Sequence, residues 1–481
     1  MRLYVVMRYI GLVMLYLALA MAASAIVAYV SYRDTSFYAL LLSALLTALM
    51  GVFPLIFVKS ESQISNKEGY CIVLGSWLLA CVVTMFPYLL WGGEFCFADA
   101  WFESVSGLTT TGASILTNIE ALPRGLLFWR MLSTWIGGIG VIMFALVTLP
   151  SIGRSRMTLS NMELSSIAKD NYHYRTQVIA RIIMVVYFGL TMITTVLLKL
   201  AGMNWYDALT HSMSASATSG FSTKNSSVAY FDSALIEMIL VFAMIAAGTH
   251  FGLIYATVTG KYNNLFRSEV QRFYVGVIVV CSFLVAINLY FSGVYPSAMT
   301  SMRHALFQFV SLITTTGYAT VDTNFWPPFA IVILIFGSIC CASAGSTTGG
   351  LKVNRILIAF KIFKLSFKQQ QHPNAIFRVK VDGVTQDFNI LYAVVTFIVL
   401  YFVFILSGTL MGTILGLDVM TSFSASFASL GNVGPGFGEV GSMDNYSQLP
   451  DVFKYYLTFL MLLGRLEIFG LIQLFMIKWW R

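Results

Sequence analysis

Long apolar runs without period-two alternation dominate the chain. Runs of about 20 apolar residues cross a hydrocarbon layer about 30 Å thick as helices, whereas a membrane barrel shows short alternating segments. Two such runs come first, over 7–32 and 36–58. Four groups follow, each a long apolar span, a short half-apolar segment, a Gly/Thr/Ser tract and a second long span. The first spans begin near residues 70, 176, 273 and 388, and the second cover 125–150, 231–258, 327–350 and 451–480. The short segments, 97–108, 204–217, 301–313 and 418–430, cannot reach across a bilayer and are predicted to be re-entrant helices.

The four groups align on Gly112, Gly220, Gly317 and Gly434. Twelve residues earlier stand Ala100, Ala208, Ala305 and Ser422; six earlier stand Ser106, Ser214, Ser311 and Ala428. A unit repeated at matched offsets is the mark of internal duplication. The expected division is therefore 1–69 for two leading helices, then repeats over 70–160, 161–262, 263–372 and 373–481. Asp99 and Asp207 share one offset and are expected as N-caps of the short helices, with His304 in the third copy's slot.

Composition agrees with this pattern. Of 481 residues, 58% are hydrophobic and 10% charged, against about 25% charged in a soluble domain, so most of the surface must face lipid. The net charge of +8 sits in alternate connections: Lys59 and Lys67, a group from Arg154 to Arg181, and Lys261, Arg267 and Arg272. The densest group is Lys352, Arg355, Lys361, Lys364, Lys368, Arg378 and Lys380, and Lys478 and Arg481 close the chain. The positive-inside rule puts these connections and both termini in the cytoplasm. Nucleic acid is not implied. The dense group, Lys361, Lys364 and Lys368 above all, is also a candidate docking surface. Six scattered cysteines give no disulfide framework.

The tracts carry the candidate chemistry. They read Thr109-Thr110-Thr111-Gly112-Ala113, Ala217-Thr218-Ser219-Gly220-Phe221, Thr314-Thr315-Thr316-Gly317-Tyr318 and Gly431-Asn432-Val433-Gly434-Pro435. Non-helical backbone at membrane depth is tolerated only where protein or a water-filled cavity surrounds it. Four loops of stacked carbonyls can replace the hydration shell of a cation. Glycine supplies the positive φ that such a loop needs. The predicted ion-binding residues are Thr110, Thr111, Gly112, Thr218, Ser219, Gly220, Thr315, Thr316, Gly317, Asn432, Val433 and Gly434. No nucleophile elbow, zinc-protease motif or Walker A sequence is present, so catalysis is not expected.

These tracts, the two extra leading spans and Gly464-Arg465-Leu466-Glu467 in the last span closely resemble the superfamily of K+ transporters that includes TrkH, TrkG, KtrB and the fungal and plant Trk/HKT proteins. The bacterial TrkH/TrkG branch is the nearest in pattern. The resemblance implies an all-α polytopic membrane protein with four helix–pore-loop–helix repeats around a pseudo-fourfold pore, plus two N-terminal helices. It also implies K+ as the transported ion, a homodimer in the lipid of the bacterial inner membrane, and a cytosolic TrkA-like ring that binds NAD or ATP in place of this chain. Passive K+ flux, Na+- or H+-coupled symport and a less selective cation channel are all compatible with the sequence.

Two features bear on gating. Gly337–Gly350 holds five hydroxyl residues and four glycines in fourteen positions. That composition fits either small-residue packing or a break in the helix. The resemblance favours the break, as a pore-blocking loop made of Gly345, Ser346, Thr347, Thr348, Gly349 and Gly350. Arg465 lies deep in the final span, where a charge needs a cavity or a partner. It is expected either to face the ion path, as the resemblance implies, or to pair with another unit. Glu94, Asp99, Glu103, Asp207, Asp322, Asp418, Glu439 and Asp444 are acids expected on the outer side, most of them caps or wetted loop residues. His211, His250, His304 and His372 have no metal-ligand spacing.

Overall fold

The computed structural model describes residues 2–31, 34–58, 65–151, 176–260, 264–375, 377–468 and 470. The basic connection at 154–175, with Lys59, Lys261, Lys478 and Arg481, lies outside the described residues. Two leading helices, Leu3–Val30 and Phe37–Phe57, pack on each other and on the first repeat. Gly11 and Gly51 mark their crossing: a Cβ on either would come within 2.6 or 2.8 Å of the other's carbonyl oxygen. Lipid offers no hydrophobic push between helices, so close backbone approach at small residues supplies the contact.

The first spans of the four repeats are Asn66–Thr84 (followed by Phe86–Trp91), Thr176–Leu200, Glu269–Phe291 and Phe388–Ile414. The short helices are Phe97–Leu108, Trp205–Ala217, Ala298–Ile313 and Val419–Gly431, of 12, 13, 16 and 13 residues. At about 1.5 Å per residue none can cross a layer about 30 Å thick. They are re-entrant and largely buried. Asp99 and Asp207 do not cap them. Cys96 and Asn204 hold the extended N-cap backbone, and Asn204 Oδ1 accepts from the Asp207 N–H. The acids sit in the first turn instead, where the helix dipole favours negative charge. The third helix starts at Ala298 and is capped by Ser297, so His304 is well inside it.

The second spans differ from one another. Arg124–Ser151 is continuous, but Ala234–Ala247 and Phe251–Val258 meet at 103°. Pro328–Cys340 stops short, and helix resumes only at Val353–Gln371; the last described span is Asp451–Arg465. Each second span packs on the next repeat's short helix, and the fourth packs on the first, which closes a circle. Polar contacts fasten three of these seams. Tyr206 Oη donates to the Arg124 carbonyl, Arg303 forks onto both Glu237 oxygens at 2.7 Å, and Lys454 reaches Asp99 at 2.7 Å.

A hairpin, Lys380–Val381 paired with Val384–Thr385, turns through Asp382 and Gly383 at φ 48° and 80°. Its Asp382 accepts from the backbone N–H of Glu269 at the start of the third repeat's first span. Lys361 is tied into the same cluster through Glu269 and the Lys380 carbonyl. It is therefore less free for docking than its place in the basic run suggests.

Candidate functional site

All four short helices end in the same backbone turn. Thr110, Thr218, Thr315 and Asn432 adopt φ of 53°, 55°, 54° and 52°; two residues on, Gly112, Gly220, Gly317 and Gly434 have 77°, 80°, 79° and 96°. The amides of Thr111, Ser219, Thr316 and Val433 return to the carbonyls of Ser106, Ser214, Ser311 and Ala428, at 2.8–3.0 Å. The preceding amides bond three residues back, Thr110 to Gly107 for example. This is the Schellman ending, which satisfies carbonyls that a helix terminus leaves open. The sequence placed positive φ at the glycines alone. The threonines and asparagine share it, although a side chain makes that region costly.

The tracts close on each other as a ring. A Cβ on Gly112 would overlap the Ser219 carbonyl oxygen, one on Gly220 that of Thr316, and one on Gly317 that of Val433. On Gly434 it would stand 2.6 Å from that of Thr111. The order runs from the first unit to the second, third and fourth and back to the first. Only a residue without a side chain lets neighbouring backbones come so near. Asn432 Nδ2 donates to Thr111 Oγ1 at 2.9 Å and to the Met461 carbonyl at 3.0 Å, joining the fourth tract to the first. Thr110 Oγ1, Ser216 Oγ, Ser429 Oγ and Asn432 Oδ1 are buried with no hydrogen-bond partner among the described residues. A ring of backbone carbonyls of this kind can serve a cation shedding its water.

Behind the ring lies a group that the sequence placed elsewhere. Glu103, expected among outer acids, is 0% exposed. Its carboxylate accepts from Ser114 Oγ and the Ile115 N–H, both at 3.1 Å, and pairs with buried Arg130. Most other acids of that set are held locally. Asp207 accepts from Thr223, Asp418 from the Thr421 N–H and Asp322 from the Asn324 N–H. Asp444 accepts from Asn324, while burial and then the Asp322 carboxylate push its own carboxyl above the usual range.

The gate candidates occupy one buried stretch. Between Cys340 and Val353 the chain is non-helical, with positive φ at Cys341, Gly345, Gly350 and Lys352. Ala342–Leu351 is buried apart from partly exposed Gly345. Buried backbone must find partners, and these come from three repeats. The Ser343 N–H donates to the Gly248 carbonyl, the Phe251 N–H to that of Gly345, and the Gly349 N–H to Thr315 Oγ1. Thr347 Oγ1 reaches the Ser216 and Ala247 carbonyls; Ser346 and Thr348 share a hydroxyl contact of 2.7 Å. A Cβ on Gly349 would come within 2.6 Å of the Gly431 carbonyl oxygen, and one on Gly350 would overlap Cys341.

Arg465, 3% exposed, donates to the Thr347 carbonyl at 2.6 Å and to that of Gly137 at 3.4 Å. Among the described residues it has no carboxylate partner. The nearby acid, Glu467, instead binds Arg355 at 3.0 Å and Lys352 at 3.5 Å, just beyond the loop.

Comparison with known proteins agrees with this architecture. A crystal structure of the potassium transporter TrkH from Vibrio parahaemolyticus superposes with a TM-score of 0.91 at 31% identity, covering 100% of both chains. The Trk system potassium uptake protein TrkH of Halomonas elongata is 32% identical over 493 residues, 100% of each chain. TrkG of Escherichia coli is 34% identical, over 88% of this chain and 87% of its own. The family model described as TrkH, cation transport protein, matches residues 40–479, and this chain belongs to that family.

Proposed function

We propose that this chain is the K+-conducting pore of a Trk-type uptake system. The carrying observation is the closed ring in which each unit's glycine abuts the next unit's carbonyl, from the first unit round to the fourth and back. The relatives, named as potassium uptake proteins, support the choice of ion. The ion-binding set is Thr110–Gly112, Thr218–Gly220, Thr315–Gly317 and Asn432–Gly434. In this reading Gly345–Gly350 forms a barrier under the ring, and Arg465 adds a positive charge to it. The chain works as a homodimer in the bacterial inner membrane with both termini in the cytoplasm, and a TrkA-like ring carries the regulatory nucleotide.

Purified protein in planar bilayers under opposed K+ and Na+ gradients tests the assignment. A reversal potential near the K+ equilibrium value is expected; one midway between the two ions, or zero current with uptake driven only by a Na+ or H+ gradient, would replace it. The partner is tested separately. Lys364 and Lys368, outside the Lys361–Glu269 cluster, are expected to be the docking charges. Neutralising both should weaken co-purification with a TrkA-like subunit at moderate salt, and unchanged binding would leave them as topology signals.

A further inference from the structure

The alignment on the four glycines exposes one more register. Nine residues before them stand Glu103, His211, Gln308 and Ala425. Each of the first three is buried in a short helix and reaches the chain just past its own glycine. Glu103 holds Ser114 and Ile115, two and three residues beyond Gly112. His211 Nε2 contacts Ser222 Oγ at 2.9 Å, two beyond Gly220. Gln308 Nε2 donates to the Val321 carbonyl at 2.9 Å, four beyond Gly317. Ala425 has no polar side-chain atom, and neighbouring Ser424 exchanges hydrogen bonds with Phe437, three beyond Gly434.

The brace in the first unit extends into the second. Arg130, bound to Glu103, donates to the Ser222 carbonyl at 3.0 Å and lies 3.6 Å over the Phe221 ring, one residue after Gly220. Buried groups bonded in a chain fix geometry more firmly than single contacts, because each orients the next.

We propose that Glu103, His211 and Gln308 are positioning residues for ion selection, which hold the outer edge of the carbonyl ring at a set width, and that the Glu103–Arg130 pair stiffens the seam between the first and second units. The proposal rests on the tracts being the ion path. Where cavity size sets the choice of ion, a carbonyl ring discriminates K+ from the smaller Na+ by resisting inward movement of its oxygens, so the brace acts on selectivity more than on passage.

Two variants test it beside Gly112→Ser. Gln308→Leu keeps volume and removes the donor. The pair Glu103→Gln with Arg130→Met removes both buried charges together, so neither is left unpaired. Each is measured twice, for K+:Na+ permeability ratio from reversal potentials and for thermal unfolding in detergent. Both are expected to lower the ratio about fivefold, the preference that one hydrogen bond is worth, with K+ current retained. Lowered unfolding temperature with an unchanged ratio in both would overturn the proposal and leave the register as scaffolding. An unchanged ratio in Gly112→Ser as well would overturn the ion path itself.

Discussion

A Gly112→Ser chain is expected to insert and fold yet lose most of its preference for K+ over Na+. Gly112 sits at φ 77°, where an L side chain costs about 1–2 kcal/mol, too little to unfold a large protein. The new Cβ, however, would occupy the space of the Ser219 carbonyl oxygen, so one member of the ring must turn or withdraw. Serine at Gly220 and Gly317 meets the same obstacle, while at Gly434 the approach, 2.6 Å, is the least severe of the four. Reversal potentials of the four single variants should rank accordingly, with Gly434→Ser mildest. Four variants that express, insert and discriminate as the parent does would show that the ring is not where ions are chosen.

Arg465→Ala is expected to raise K+ flux in the absence of any partner, with the permeability ratio unchanged. The guanidinium holds the loop through the Thr347 carbonyl and is bonded to Gly137 in the first unit. A hydrogen bond to a charged group contributes about 1.5–3 kcal/mol, so its loss shifts a closed–open balance by about tenfold or more. Removing the charge also lowers the cost of bringing a cation through a low-dielectric passage. Deleting Gly345–Gly350 should act in the same direction by steric relief. Flux assays on folded, inserted protein decide the matter. Unchanged or lower flux in both variants would mean that the close contacts of Gly349 and Gly350 serve packing alone.

The repeats and short helices were legible in the sequence because each recurs with the same apolar length and the same small residues at fixed offsets. The contents of the tracts were legible for the same reason. What escaped depends on distance along the chain. Glu103 looked like an acid at the mouth because its partner Arg130 is 27 residues away on another helix. Arg355 read as a topology charge until folding brought Glu467 to it from 112 residues further on. The bend at Gly248–His250 was hidden because apolar residues continue on both sides, so hydropathy registers one span where the backbone makes two. The left-handed Thr110, Thr218 and Thr315 contradict a local preference that tertiary contacts override.

That bend in the second repeat has a mechanical meaning. It faces the interruption in the third, and the two are stitched by a pair of backbone bonds, Ser343 to Gly248 and Phe251 to Gly345. Two broken helical spans thus share one clasp, and straightening or retreat of either while the other stays put breaks it. The Ser343 and Phe251 amides are then natural reporters. They are expected to exchange with deuterium together, at the frequency with which the clasp opens, whether or not an ion passes.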